Sequence, residues 1–369
     1  MKKILLIGGG GYVGSALTPK LLDENYEVTV YDLFIYGEDV LEKNKNLKLI
    51  KGDIRNIDLL SKSLVNQDAI IHLACISNDP SFELNPELGK SINLDCFRPL
   101  VEAAKKQEIK RFIYASSSSV YGIKKEKNVN EDLILEPLTD YSKFKVECEK
   151  ILSEYTSDTF QTTIVRPATV CGYARRQRLD VVVNILTNLA FNKRKIKIFG
   201  GEQLRPNIHI QDMINVYLEI LKAKKDKING QIFNAGYDNF TVKEIALAVK
   251  SIIGEDIEIE TVETNDNRSY HISSQKMKDI LNFNPKFTIK DAVSTLELVT
   301  SPTDEEEQKT EVLGTFLGSE SGVEYRNIIL TNDSGTEPVV LSLGGKSTLR
   351  LQQKTTDECF EKICWRFYF

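Results

Sequence analysis

The sequence predicts an α/β protein with a doubly wound, mostly parallel sheet, because short strands alternate with amphipathic helices and a glycine-rich turn joins the first of each. The runs 4–7, 28–31, 47–50, 69–73, 112–115 and 162–166 are short, apolar and rich in β-branched residues, as strands covered on both faces require. Between them, segments 13–22, 94–107 and 142–155 place apolar residues three and four apart, the period of a helix lying on a sheet. Parallel neighbours need crossovers, and helices of this length supply them.

After Gly172 the alternation loosens, and helical patterns at 181–190, 214–222 and 242–252 suggest a smaller lobe spanning 173–298, partly interleaved with residues 1–172. The acidic run Ser301-Pro302-Thr303-Asp304-Glu305-Glu306-Glu307 reads as a linker. Beyond it, 325–330, 338–343, 347–351 and 364–369 resemble short strands, so 299–369 is expected to form a small β-rich appendage or a disordered tail.

With 369 residues and 41% hydrophobic content the chain can bury a sizeable core. Its 48 basic and 53 acidic residues leave a net charge of −5 without a basic cluster, which argues against a nucleic-acid partner. The first apolar run is too short for a signal peptide, and no stretch of about 18 uncharged apolar residues would span a membrane. A cytoplasmic protein without a membrane partner is expected. The cysteines Cys75, Cys96, Cys148, Cys171, Cys359 and Cys364 lack the paired spacing of a zinc site, so reduced thiols and no metal are expected, with a Cys359–Cys364 pairing left open.

Gly8-Gly9-Gly10-Gly11-Tyr12-Val13-Gly14 follows the first strand and opens the first helix. Glycines at 8, 11 and 14 permit a tight turn, close approach of backbone to a pyrophosphate and close helix–sheet packing, while N–H groups at the helix start, at Tyr12 and Val13, face the phosphates. Eighteen residues past Gly14, Asp32 ends the second strand, where a carboxylate accepts from ribose hydroxyls and repels a 2′-phosphate. No basic residue follows in Leu33-Phe34-Ile35-Tyr36, so the expected cofactor is NAD. Asp53, beside Ile54, is placed to meet the adenine edge.

Tyr141 and Lys145 stand four residues apart at a helix start and share one face. A neighbouring ammonium favours the phenolate and is expected to draw the tyrosine down from its ordinary pKa of about 10, which suits proton removal from a hydroxyl. Upstream, Ser116-Ser117-Ser118-Ser119-Val120-Tyr121-Gly122 ends a strand with hydroxyls that could bind the oxygen losing that proton. His72 and His209 have no further ligand or nucleophile beside them in sequence and read as structural.

Together these residues resemble the extended short-chain dehydrogenases, specifically the nucleotide-sugar epimerase/dehydratase family of the UDP-galactose 4-epimerase type. The resemblance runs from Lys2 to about Leu298 and rests on Gly8/Gly11/Gly14, His72-Leu73-Ala74, Asn93 opening a helix, the serine strand end with Tyr121-Gly122, Tyr141/Lys145 and Arg166-Pro167. It implies a Rossmann-type fold, a catalytic set of Ser117, Tyr141 and Lys145, and cofactor contacts from Leu73, Ala74, Asn93, Tyr141, Lys145 and Pro167. It implies a nucleotide-diphosphate sugar as substrate, bound by Ser117, Ser118, Thr169, Arg178, Arg205 and Arg268, with the two last arginines near its pyrophosphate. Thr169 departs from the asparagine common at that place, and the following Arg175-Arg176-Gln177-Arg178 run is also unusual. Ser118 and Ser119 replace the Asp and Glu typical of 4,6-dehydratases, which disfavours dehydration. C4 oxidation leading to a 4-epimerase is the expected activity, with a 4-dehydrogenase releasing a keto sugar or a non-catalytic dinucleotide sensor as alternatives. The resemblance also implies a homodimer joined through the helices near 94–107 and 142–155.

Overall fold

The structure is a computed structural model that describes residues 1–77, 82, 84–264 and 269–300, together with three strands in the C-terminal segment. The strands of the described chain are β1 (Lys3–Ile7), β2 (Glu27–Asp32), β3 (Leu47–Lys51), β4 (Ala69–His72), β5 (Arg111–Ala115), β6 (Gln161–Pro167), β7 (Thr169–Cys171), β8 (Lys195–Phe199), β9 (Leu204–His209), β10 (Gln231–Ala235), β11 (Asp238–Thr241) and β12 (Glu258–Val262).

Seven of them form one sheet in the order β10-β6-β5-β4-β1-β2-β3, every adjacent pair parallel. The chain winds outward from β1 through β2 to β3, then returns to place β4 on the other side of β1, with Ile7 opposite His72. That reversal opens a crevice beyond the carboxyl ends of β1 and β4, where doubly wound sheets bind ligands. Both faces are covered: Leu5, Ile7, Phe97 and Leu100 pack on one side, and Ile4, Leu6, Leu17 and Leu21 on the other, all essentially without exposure.

The six strands expected from the first half are present with ends shifted by a residue or so. The seventh, β10, comes from beyond residue 172 and pairs with β6, and the helix Ile210–Lys222 that precedes it packs Ile214, Leu218 and Leu221 into the core shared with Leu17 and Leu21. The rest of the second half builds a smaller lobe from the β11-β9-β7 and β12-β8 sheets and the helices Val182–Lys193, Val242–Ile253 and Ile289–Thr300, around Val183, Leu186, Ile196, Ile198, Ile245 and Val293.

In the C-terminal segment β13 (Val312–Leu317), β14 (Tyr325–Leu330) and β15 (Val339–Leu343) pair antiparallel. The acidic run, the expected strands at 347–351 and 364–369, and Cys359 and Cys364 lie outside the described residues. Cys75, Cys96, Cys148 and Cys171 are free thiols. Among the described residues no helix is long and apolar enough to cross a membrane, and no cluster of His, Cys, Asp or Glu could hold a metal.

Candidate active site

Three close backbone approaches shape the crevice. Gly8 has φ of +87°, and a Cβ there would lie 2.5 Å from the Ala74 nitrogen, because Leu73 and Ala74 both donate their N–H groups to the Ile7 carbonyl as they leave β4. A Cβ on Gly14 would lie 2.5 Å from the Gly8 carbonyl oxygen, so the helix seats directly on the glycine turn. Gly11 caps the helix Tyr12–Asp23 without a side chain, leaving the first helical N–H groups, those of Tyr12 and Val13 among them, outside the helix's own hydrogen bonding. A bare cradle with a helix N-terminus at its rim suits a pyrophosphate, so these residues fit NAD.

At the end of β2 the Asp32 carboxylate accepts from Gly10 N–H at 2.9 Å and Phe34 N–H at 2.8 Å. Burial pushes this carboxyl up, while those N–H groups and the Arg176 charge draw it back. Asp53 begins the turn after β3 next to buried Ile54; burial pushes its carboxyl up, but Arg55, with Nε at 2.9 Å, outweighs this and holds it low.

At the end of β5 the chain turns at Ser117, whose hydroxyl accepts from Ser119 N–H at 3.2 Å and caps the short turn Ser118–Tyr121. The helix Asp140–Glu154 starts with a reciprocal cap, Thr139 with Ser142, which places Tyr141 in its first turn and Lys145 one turn on. Lys145 Nζ donates to the Ala115 carbonyl at 2.6 Å and lies 4.9 Å from the centre of the Tyr114 ring and 5.8 Å from that of Tyr141. Ser117, Tyr141 and Lys145 are thereby brought together beside the crevice.

The expected direction of the Tyr141 pKa needs correction. Burial raises it, and this outweighs the lowering from Lys145, the Ser117 hydrogen bond and Arg178. Lys145 also stays cationic: burial opposes its charge, but Cys75 and Tyr141 more than compensate and its pKa is raised.

Several side chains in and around the expected site also make structural bonds. Tyr12's ring is buried and its hydroxyl donates to the Gly172 carbonyl at 2.6 Å, tying the first helix to the second lobe. Asn93 spends its amide on Ile76, accepting from its N–H and donating to its carbonyl, both at 2.9 Å, so its side chain pins the loop after β4. Ser118 is buried in the short turn. Ser116 points inward to Glu149 Oε1 at 2.5 Å, and Glu149 pairs with Arg166, which Pro167 follows at the end of β6.

On the lobe side, Thr169 opens β7 opposite Asn207. Arg178 is held by Asp180, Nε to Oδ1 at 2.8 Å, and its charge reaches Tyr141. Arg205 lies over Tyr270, 5.5 Å from its ring centre. Arg268 is outside the described residues. His72 and His209 are buried against aromatic rings and both held neutral by burial, His72 down to about 3.

The sequence reading missed Cys75 and Tyr114, which line the Lys145 ammonium, and Glu149. Glu149 carried a signal: Tyr141, Lys145 and Glu149 follow one another at four-residue steps, so one helix stripe holds all three.

The family model described as the NAD-dependent epimerase/dehydratase family matches residues 4–236. A UDP-glucose 4-epimerase of Lactobacillus helveticus is 28% identical, the alignment covering 79% of this chain and 95% of the relative. An uncharacterised UDP-glucose epimerase of Bacillus subtilis is 30% identical over 79% of this chain and 96% of its own. The solved UDP-glucuronic acid 4-epimerase of Bacillus cereus, in complex with UDP-glucuronic acid and NAD, superposes with a TM-score of 0.73 at 27% identity, covering 80% of this chain and 99% of that one.

Proposed function

The chain belongs to the NAD-dependent epimerase/dehydratase family and is an NAD-dependent enzyme, and from that premise we propose that it is a sugar-nucleotide 4-epimerase acting at C4 of a nucleotide-diphosphate sugar. The observation that carries this reading is the gathering of Tyr141, Lys145 and Ser117 around the carboxyl end of β5. In the crevice the backbone around Gly8, Gly11 and Gly14 holds the cofactor pyrophosphate and Asp32 accepts from the ribose.

Bound NAD supplies reversible hydride acceptance. Tyr141 takes the proton of the sugar C4 hydroxyl and gives it back, Lys145 stabilises the phenolate, and Ser117 orients the C4 oxygen. Lys145 is positioned for this by its bond to the Ala115 carbonyl, which fixes the ammonium between the Tyr114 and Tyr141 rings. Arg205 holds the substrate diphosphate, and Arg178, whose charge acts on Tyr141, binds the substrate beside it.

Elimination of water would require an acid and a base beside the reacting carbons. The two residues after Ser117 are Ser118, buried, and Ser119, whose hydroxyl bonds Ser117 at 2.8 Å, and neither carries a carboxyl. An epimerase reading is therefore favoured over a dehydratase.

The test is incubation of the purified protein with NAD and UDP-, GDP-, CDP- and dTDP-sugars, following NADH absorbance and sugar-nucleotide chromatography. A new stereoisomer without net NADH is the expected result. Accumulating NADH with a keto sugar would replace the epimerase by a 4-dehydrogenase, and a 4-keto-6-deoxy product would restore the dehydratase.

A further inference from the structure

We propose that Asn184 is a positioning residue for Arg178: its side-chain amide closes the strap that leaves β7 for the second lobe and holds the Arg178 guanidinium at the wall of the crevice. The proposal rests on the reading above, which has Arg178 bind the substrate.

The strap runs from Gly172 to Asp180 and leads into the helix Val182–Lys193, whose first turn carries Asn184. The Asn184 side chain is fully buried, and its one amide serves both ends of the strap. Oδ1 accepts from Gly172 N–H at 2.9 Å, while Nδ2 donates to the Arg178 carbonyl at 2.7 Å. Nδ2 also donates to the Tyr12 hydroxyl at 3.1 Å, and that hydroxyl donates to the Gly172 carbonyl at 2.6 Å. Tyr12 opens the helix seated on the glycine turn, so the strap is closed against the cofactor side of the first lobe.

A polar side chain is costly to bury unless it is bonded. The neighbours of Asn184 on its helix, Val183, Leu186 and Ala190, are apolar and fill the core of the second lobe. What the amide adds at this place is its bonds to Gly172, Tyr12 and Arg178.

With its carbonyl fixed, Arg178 reaches back to the first lobe. Its Nη2 lies 3.4 Å from the Ser77 carbonyl, on the loop that leaves β4 at the crevice, and Nε and Nη2 fork onto Asp180 at 2.8 and 3.0 Å. Among the described residues no partner takes Nη1, which leaves that donor for a ligand. A long arginine side chain loses rotamer freedom when it binds, so holding its backbone and its fork in advance favours binding. Asn184 does the first and Asp180 the second.

The experiment is calorimetric titration of the full chain with NAD and then, at saturating NAD, with UDP-glucose, GDP-mannose, CDP-glucose and dTDP-glucose. The proteins are the native chain, Asn184→Leu, Arg178→Ala, and Tyr12→Phe, which keeps the buried ring and removes only the hydroxyl, with the two double variants that add Arg178→Ala. For the sugar nucleotide that the native chain binds, Arg178→Ala and Asn184→Leu are each expected to weaken binding about tenfold and Tyr12→Phe about threefold, with NAD affinity within about twofold of native. The double variants are expected to bind no more weakly than Arg178→Ala, because Asn184 acts through Arg178. Losses that add in the double variants overturn that route, and NAD weakened as much as the sugar nucleotide marks a merely structural amide and overturns it too. If Arg178→Ala weakens the sugar nucleotide while Asn184→Leu and Tyr12→Phe bind it as the native chain does, the role of Asn184 falls and the substrate reading stands. Native protein that binds NAD but none of the four sugar nucleotides, or an Arg178→Ala chain of native affinity, overturns the part given to Arg178 and Asn184 with it.

Discussion

The Arg166 guanidinium forks onto the Glu149 carboxylate inside the protein, Nη2 to Oε2 at 2.6 Å and Nε to Oε1 at 3.0 Å, with both side chains at most 5% exposed. Ser116 bonds the same carboxylate, and Arg166 Nη1 donates to the Tyr121 hydroxyl, which in turn donates to Asn234. The network thus fastens the helix that carries Tyr141 and Lys145 to β6 and β10.

Removing one member of such a pair leaves a buried charge uncompensated, which costs about 3–5 kcal/mol. Glu149→Leu and Arg166→Met are each expected to lower the urea midpoint accordingly. The double variant Glu149→Leu/Arg166→Met loses charge from both sides and is expected to be less destabilised than the sum of the singles. Additive losses would show that the pair acts as two independent residues.

Tyr141→Phe is expected to lower turnover by about a hundredfold or more, the usual worth of a positioned acid–base group, with NAD affinity retained. The cation at Lys145 lowers the Tyr141 pKa against the upward push of burial. Without that cation the phenolate forms only at higher pH. The rising limb of kcat/KM against pH should therefore move to higher pH in Lys145→Met, and a limb that stays in place would remove Tyr141 as the titrating base.

Gly14→Ala puts a Cβ 2.5 Å from the Gly8 carbonyl oxygen and the Gly9 Cα, both backbone atoms. On Gly11 the Cβ would meet only the Gly8 oxygen, at 3.3 Å. Forcing the turn open costs about 1–3 kcal/mol, so Gly14→Ala is expected to weaken NAD roughly ten- to a hundredfold and Gly11→Ala clearly less. Equal losses in a fluorescence titration would mean that the glycines serve something other than close approach.

His72 packs against Phe97 and Tyr114, whose own rings touch at 4.7 Å, and burial, helped by Lys145, pushes its pKa down from 6.5 to about 3. Between those values the unfolded chain takes a proton that the folded chain refuses, so stability falls as pH drops below about 6.5, by up to about 1.4 kcal/mol per pH unit for one proton. His209, lowered to about 4, adds the same sign. His72→Phe keeps the ring and removes the proton, so its unfolding midpoint should fall less between pH 6.5 and 4; parallel curves would place a charged His72 in the fold.

The parallel sheet and its first six strands were legible because each is a short apolar run bounded by turns, a pattern within single segments. β10 was not. Gln231–Ala235 starts and is interrupted by the polar Gln231 and Asn234, and Asn234 is fully buried only because it finds partners at Tyr121, Val129 and Ser273, so nothing near it in sequence marks a buried strand. The cofactor turn and the Tyr141/Lys145 step were legible for the opposite reason, since their chemistry depends on spacing along one turn or one helix face.

Local patterning was therefore enough for the winding of the sheet, the glycine turn after β1, the carboxylate at the end of β2 and the tyrosine–lysine pair on one helical stripe. Only contacts between distant segments make burial raise Tyr141, tie Asn93 to Ile76, pair Glu149 with Arg166 and lay Arg176 on Tyr36. The physical reason is range. Periodicity and spacing act over a few residues, whereas burial and the pairing of charges arise only where distant segments meet.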